Sequence, residues 1–447
     1  MKTFKNYLLV IGFFLGGFYN AHAQTMMNKV YFEIMTRSSI FILSFLLYIP
    51  SVWAWDFCDP NEDGIMLYYN VVDKAEGSCE VAQKEDVVWN CKVLRIPEKV
   101  ILNRGNRDFG DPDTMMTVTG IGYKAFYSLL SDPTSLFERV ELPYGISNIS
   151  DYAFYGCQYM STLLFPDNNK WLHYIGEYAF AGSGLSEFTI PKTLVTLSPH
   201  AFDHSGLICV EFEEGNEHLT EIPDSCFYKS TLQEVKMCSS ITNIATGAFQ
   251  GCQSLSSVHF SPYLETIGDY AFAECGNLKS PELPYGLGII GNYAFWQHQA
   301  WLNLEIPETI MDIGEYALCN KIKKSPARLS IQNLYVNKVT TPYCVSEKSL
   351  GDYQYDYTEK KYTRVITGTN LIVPLNCKEE YATTYPWDRF DTRYITERDL
   401  SGIKPATAKT SQPEDVFSLD GRRLAKTQKG LNIIRYKDGT AKKVVVK

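Results

Sequence analysis

"IGEYAFAGSGL" runs from Ile175 to Leu185, and "IGDYAFAECGNL" from Ile267 to Leu278. The hexapeptide opens again as "IGNYAF" at Ile290 and as "IGEYAL" at Ile313. Aligned on its last residue, the chain shows a column of Phe126, Phe154, Phe180, Phe202, Phe227, Phe249, Phe272, Phe295 and Leu318, spaced 22 to 28 residues apart. Such spacing marks leucine-rich-type solenoids, in which one unit cannot bury its own apolar face and stacked units share a core. The fold class implied is an α/β solenoid: a leucine-rich repeat array of about nine units, to which the family resemblance given below adds a β-rich N-terminal cap and a C-terminal cap.

Each part of the unit has a physical reading. "IGxYAF" has apolar residues three or more apart and reads as a short helical turn packing inward. Cys157, Cys252 and Cys275 stand three residues after Phe, where Ser183, Ser205 and Ser230 stand in other units. These cysteines read as buried free thiols along a tight turn. A short strand follows, at Val140–Leu142, Phe188–Ile190, Val210–Phe212, Val258–Phe260 and Leu304–Ile306. Apolar residues there flank one polar residue, so one face is buried and the other wet. Pro143, Pro166, Pro191, Pro284 and Pro307 end the strands, because proline cannot continue a ladder.

The formal charge of −9 is unevenly spread: from Lys404 onward the chain carries a net +7, which leaves −16 for the rest. Phosphate repels such a body, so a nucleic-acid partner is excluded. The N-terminus holds two export-like segments. Lys2 and Lys5 precede an apolar run at Tyr7–Phe18 and "AHA" ending at Ala23; Arg37 precedes a run at Ile40–Ile49 with small residues at Val52 and Ala54. Each has the parts of a signal peptide and is short for a membrane span. Either translation starts near Met35, or the first segment is used and the second stays as an apolar stretch. Both readings export the chain. Of the twelve cysteines, Cys58, Cys79 and Cys91 would supply one disulfide, with the pair left open.

These units resemble the BspA-like leucine-rich repeat family of bacterial surface proteins, over roughly Asp56 to Ile395. "WDFCDPNEDGIMLYYNVV" from Trp55 is similar to the family's mature start. "LIVPLNCKEEYATTYPWDRF" (Leu371–Phe390) is similar to its closing cap. The stretch from Asp415 to Lys447 is similar to sorting tails of the type IX secretion kind. Departures are the insertion Ser128–Ser135, Leu197-Ser198 and Ile222-Pro223 in place of Ile-Gly, Leu318 for Phe, and a long segment from Cys344 to Asn370. The organisation expected is signal segments at 1–54, N-terminal cap 55–120, repeats 121–328, C-terminal cap 329–395, linker 396–415 and a small tail of three strand-like runs at 416–447.

Chemistry is sparse. No HExxH, GxSxG, phosphate loop or GxGxxG is present, and the chain reads as a non-enzyme without cofactor. His200, Asp203 and His204 have zinc-like types, but His200 merely occupies the tyrosine column of the other repeats, and no metal site is assigned. The outward strand column is the candidate binding face: Glu141, Leu164, Thr189, Glu211, Lys236, His259, Glu282 and Glu305, beside Arg139, Glu187, Glu234 and Asn303. Its acidic members would suit a basic protein segment or a cation; the plain alternative is a solvated strand face. In "GDYQYDYTEKKYTRV", a strand would put Tyr353, Tyr355 and Tyr357 on one side, as a recognition surface or packed against the final cap. Tyr152, Tyr178, Tyr270, Tyr293 and Tyr316 form a further row, read as a half-buried packing ladder.

The function expected is an exported or cell-surface binding protein, adhesin-like, with a protein partner on host matrix or another bacterial surface and envelope association through the basic tail. A structural envelope scaffold and an exported hydrolase are the alternatives. The mature chain is expected to begin at Trp55, and mass spectrometry of the exported protein checks this; an N-terminus at Gln24 would overturn it.

Overall fold

In the computed structural model, the alternation predicted after each turn becomes short parallel strands whose inward residues are buried. The structure describes residues 55–84, 87–102, 114–129, 131, 133–166, 170–320, 328–344, 346, 348–351, 354–356, 361–363, 366 and 369–400, with 413–417, 423–424, 430–436 and 441–446 in the tail. The two signal-like segments and most of the expected linker lie outside them. The chain forms two compact units: one runs to Leu219 and includes Cys226–Leu232, the other holds Thr220–Ser225 and everything from Gln233.

Most of the repeats contribute two strands. In the first unit, Val93–Arg95, Arg139–Glu141 and Thr162–Leu164 pair in parallel, and so do Glu187–Ile190 and Cys209–Phe212. A second ladder of two-residue strands, Asn148–Ile149, Tyr174–Ile175 and Thr196–Leu197, extends from Thr114–Ile121. In the second unit this ladder runs through Glu221–Ile222, Asn243–Ile244, Thr266–Ile267, Ile289–Ile290, Asp312–Ile313 and Tyr343–Cys344. The Ile of "IG" therefore ends a strand and does not begin a helical turn.

The helical-turn reading, and with it the α part of α/β, is corrected here. Among the described residues the α-helix is the single short stretch Lys378–Thr383. The Tyr of the hexapeptide explains why. Tyr152, Tyr178, Tyr270, Tyr293 and Tyr316, and His200 in the same column, have φ of 54° to 58°. A left-handed residue cannot continue a right-handed helix. The Phe amide, two residues on, then points to the following repeat: Phe154 N–H donates to Ala179 O at 2.7 Å, and Phe272 N–H to Ala294 O at 2.7 Å.

That close approach also accounts for the Gly of the motif. A Cβ on Gly176 would lie 2.4 Å from the Asp151 amide nitrogen, and one on Gly314 2.4 Å from that of Asn292. The variable residue after Gly has its own part. Asp151 Oδ1 accepts from Glu177 N–H at 2.8 Å, Asp269 Oδ1 from Asn292 N–H at 2.6 Å, and Asn292 Oδ1 from Glu315 N–H at 2.7 Å.

The Phe column is the core. All its phenylalanines are fully buried. From Phe126 to Phe227 in the first unit, and from Phe249 to Phe295 in the second, successive rings stack with centroids 5.1 to 5.4 Å apart. Beside it, Cys157 Sγ donates to Phe126 O at 3.1 Å and Cys275 Sγ to Phe249 O at 3.2 Å. Where Ser replaces Cys, the Ser183 and Ser205 hydroxyls are buried with no hydrogen-bond partner.

Both ends differ from the expected boundaries. Val93–Arg95, in the stretch assigned to the N-terminal cap, already pairs with the first repeat strand. In the stretch assigned to the C-terminal cap, Ile331–Val336, Asn370–Pro374 and Ile395–Arg398 extend the parallel sheet from Trp301–Ile306. Residues 396–398, expected in the linker, are thus sheet, because buried Ile395 anchors them in register with Leu371. The tail has four strands, not three: Pro413–Phe417, Arg423–Leu424, Gly430–Tyr436 and Ala441–Val446, paired antiparallel. The insertion in the first repeat is tied down by Ser135, whose hydroxyl donates to Phe126 O at 2.9 Å.

Phe272→Ala should cost about 3–5 kcal/mol in a denaturant series, as large buried aromatic deletions do; a loss below about 1 kcal/mol would mean the ring is not part of a shared core. His298 supplies a pH test. It is buried against Trp301, ring centroids 3.8 Å apart, and burial holds its imidazole below the ordinary value despite carbonyl oxygens at both ring nitrogens. Below about pH 6.5 the unfolded chain binds a proton that the folded chain refuses. This residue's contribution to stability is thus full above that pH and falls as pH drops toward the folded value. His298→Gln should flatten the decline in melting temperature between about pH 7 and pH 5.5; an unaltered slope would count against the buried neutral ring.

Candidate binding face

In the first unit the outward column is held by strands whose inward residues are fixed. Val140, Phe188 and Val210 are buried while Glu187, Thr189, Cys209 and Glu211 are exposed. Register sets Arg95, Glu141 and Leu164 side by side, and Thr189 beside Glu211. Glu141 is not a free carboxylate. Its Oε2 lies 3.0 Å from Arg95 Nε and its Oε1 2.8 Å from Arg139 Nη2. Arg95 also reaches Asp63 at 2.9 Å and Glu62 at 3.3 Å. Asn61, Glu62, Arg95, Ile96, Pro97, Glu141 and Leu142 line a cleft of about 230 Å³.

In the second unit Lys236 pairs with His259, and His259 Nε2 lies 3.2 Å from Glu234 Oε1. Glu305 sits opposite Tyr335. Its Oε1 lies 2.6 Å from Arg398 Nη2 and accepts from Asn337 Nδ2 at 2.8 Å. Burial alone would raise the Glu305 carboxyl, but these hydrogen bonds and the guanidinium charge hold it below its ordinary value. Arg398 in turn lies over the Tyr335 ring, 4.5 Å from its centroid.

Glu282 departs from the expected column. It is exposed but lies outside any strand, because Pro281 and Pro284 on either side remove ladder amides. The acidic stripe is therefore uneven, with Glu141 and Glu305 each engaged by arginine. Tyr355 lies in the strand Gln354–Asp356, opposite Tyr362 of Lys361–Thr363; Tyr353 and Tyr357 lie outside the described residues.

A feature the sequence reading missed is an amide ladder. Asn303, Asn333 and Asn370 are in register on adjacent strands. Asn333 Nδ2 donates to Asn303 Oδ1 at 2.9 Å, and Asn370 Nδ2 to Asn333 Oδ1 at 2.8 Å. Only Asn303 was in the predicted outward set, since Asn333 and Asn370 fall beyond the hexapeptide repeat. The same polar residue before a Leu in "NLEI", "NLYV" and "NLIV" is the signal that would have found them.

The remaining chemistry is inert or local. Cys58, Cys79 and Cys91 are free thiols, so the expected disulfide among them is not formed. Burial pushes Cys157 up to about 12 and Cys275 well above its ordinary value, so both stay protonated at neutral pH. His200 Nδ1 lies 3.0 Å from Asp203 Oδ2 and His204 Nδ1 contacts Asp203 Oδ1, while the His200 ring stacks on Tyr178 at 4.6 Å. Among the described residues no group of three or more His, Cys, Asp or Glu is placed to hold a metal ion. No helix among them is long and apolar enough to cross a membrane.

The family model of the BspA type leucine rich repeat region matches the chain in six copies, over residues 119–249 and 220–339. No curated protein matches it in sequence. Among solved structures, a leucine-rich repeat protein from Bacteroides ovatus is similar at 19% identity, covering 74% of this chain and 75% of that one, with a TM-score of 0.46. The pneumococcal vaccine antigen PcpA is similar at 16% identity, over 77% of this chain and 98% of that one, with a TM-score of 0.34. A leucine rich cell surface protein from Faecalibacterium prausnitzii is similar at 15% identity, over 64% and 89%, with a TM-score of 0.34. The residues matched by the family model are those that carry the stacked phenylalanines and paired short strands, and through them the chain belongs to the BspA-type leucine-rich repeat family.

Proposed function

We propose that this protein is an exported, surface-exposed binding scaffold of adhesin type, and that its outward strand residues contact a protein partner. Support comes chiefly from one observation: the strands expose an in-register column while most of their inward neighbours are buried in a repeated core. Such faces are where solenoids engage partners. The contact residues we propose are Glu141 and Glu211 in the first unit, and Lys236, His259, Glu282 and Glu305 in the second. Tyr353, Tyr355 and Tyr357 form a separate recognition surface in this reading. The partner belongs to host matrix or to another bacterial surface.

The reading also includes an array of about nine units, capped at 55–120 and 329–395, and a basic tail at 416–447 that associates with the envelope after secretion. The cap boundaries are approximate in this reading, because the parallel ladder enters both.

A pull-down with the full chain against matrix and bacterial surface extracts tests the reading. For the partner recovered, Glu141→Gln with Glu211→Gln should weaken binding about three- to tenfold, at a few tenths to one kcal/mol per exposed charge. The wild-type interaction should weaken as salt rises, since exposed charges are screened beyond about 10 Å at 0.1 M. Unchanged affinity and no salt dependence would remove the acidic residues from the contact and direct attention to Tyr355.

A further inference from the structure

The second unit carries a surface that the repeat does not require. Asn303, Asn333 and Asn370 form a row of side-chain amides on the outer face of the sheet built from Trp301–Ile306, Ile331–Val336 and Asn370–Pro374. Each bond in the row orients its neighbour. The carboxamides are thus held in one rotamer although Asn303 and Asn370 are exposed and Asn333 is half-buried. An amide has two donor hydrogens and two acceptor lone pairs. The ladder uses at most one of each per side chain, so donors and acceptors remain along the row at strand spacing, about 4.8 Å.

Glu305 is matched by Arg398, and Asn337 is fixed between them: it donates to Glu305 at 2.8 Å and accepts from Arg398. Apolar area lies beside these groups. Leu302 is 61% exposed, and Ile372 and Tyr335 are half-buried on the neighbouring strands. Fixed amides, an internally cancelled ion pair and adjacent aliphatic surface do not suit a charged ligand. They suit one that is neutral, carries closely spaced groups that both donate and accept, and has apolar C–H surface between them.

From this geometry we infer that the Asn303–Asn333–Asn370 ladder is a binding site for a neutral saccharide chain. Sugar hydroxyls each donate and accept, matching the free half of every amide. Carbohydrate C–H faces would lie on Leu302 and Ile372. Because the amides are already ordered by one another, binding need not freeze them, which removes part of the usual entropic cost. The site shares the strand of Glu305 with the protein-binding reading above, but that reading is tested on the first unit's charges, so the two fail separately.

The test is a titration of the full chain with cello-, malto-, xylo- and chito-oligosaccharides, followed by calorimetry and by NMR of the asparagine side-chain amides. At least one should bind with a Kd of about 1 mM or tighter, shifting the NH₂ signals of Asn303, Asn333 and Asn370 together. Asn333→Ala removes the central rung and should weaken that binding about tenfold, while the melting temperature stays within about 2 °C because the residue is a surface position. No binding tighter than about 10 mM by any of the four, or binding that leaves the three amide signals unmoved, overturns the proposal. So does a neutral extended peptide that shifts those signals where no saccharide does. The amide signals are read on the wild-type chain, so the decision holds even if Asn333→Ala folds poorly.

Discussion

In this fold the amide of a column Phe reaches across to a carbonyl of the following repeat, as Phe180 does to Ala201 at 2.8 Å. Two turns must then lie within a hydrogen bond of each other, and few side chains tolerate that. Gly is needed where a Cβ would enter the neighbouring backbone, as at Gly176. Ala fits behind the Phe, because a larger group there would hold the turns apart. The column residue before Ala adopts φ near 55°, which is unfavourable for a residue with a Cβ by about 1–2 kcal/mol. Stacking against its counterpart offsets this: Tyr152 lies on Tyr178 at 5.1 Å, and Tyr270 on Tyr293 at 4.8 Å. Ring planes match strand spacing, so identical residues recur for a geometric reason.

Much of this was legible in the residues. Alignment on Phe placed the core, and the alternation in Glu187–Ile190 and Cys209–Phe212 placed the strands and their outward members. The Tyr row was read as a half-buried ladder, and its rings do stack. What was not legible followed from backbone conformation. "IGEYAF" has the apolar spacing of a helical turn, and nothing in its composition announces a left-handed Tyr; Tyr is not a residue that favours that region. Hence Ile175 was assigned to a helix when it forms a parallel strand with Leu197. The asparagine or aspartate before the Tyr drew no reading from the sequence, whereas its carboxyl or amide oxygen caps the next turn. Glu282 was misplaced because the strand pattern was carried through a unit where two prolines prevent a strand.

Electrostatics show a second limit of reading along the chain. Glu305 and Arg398 are 93 residues apart, and no local pattern pairs them. They meet because the parallel ladder continues past the last hexapeptide, through segments that share its strand pattern but not its turn. Glu141 is similarly matched by Arg95, from a strand preceding the first "IG". Repeats inside the array receive charges from neighbours of like composition, so their carboxylates have fewer basic partners to meet. The first and last strands border irregular sequence, and there arginines arrive. An acidic stripe counted from repeats alone therefore overstates the charge at its ends.

The division of labour within a repeat follows from the same constraint. Inward positions are determined several times over, by the neighbouring ring, by the turn amide, by the glycine approach and by the small residue behind the Phe. A change there is felt by two adjacent repeats. Outward positions do not enter the stacked core, so they vary without disturbing it: Glu and Thr at Glu187–Ile190, Lys at 236, His at 259, and Asn with Glu on Trp301–Ile306. Register still acts on them, because residues that do recur outward fall side by side and order one another, as the three asparagines do. A repeat protein of this kind thus acquires a preorganised surface wherever two or three outward residues happen to match. The surface needs no pocket, since the backbone ladder already fixes the spacing that a pocket would otherwise have to supply.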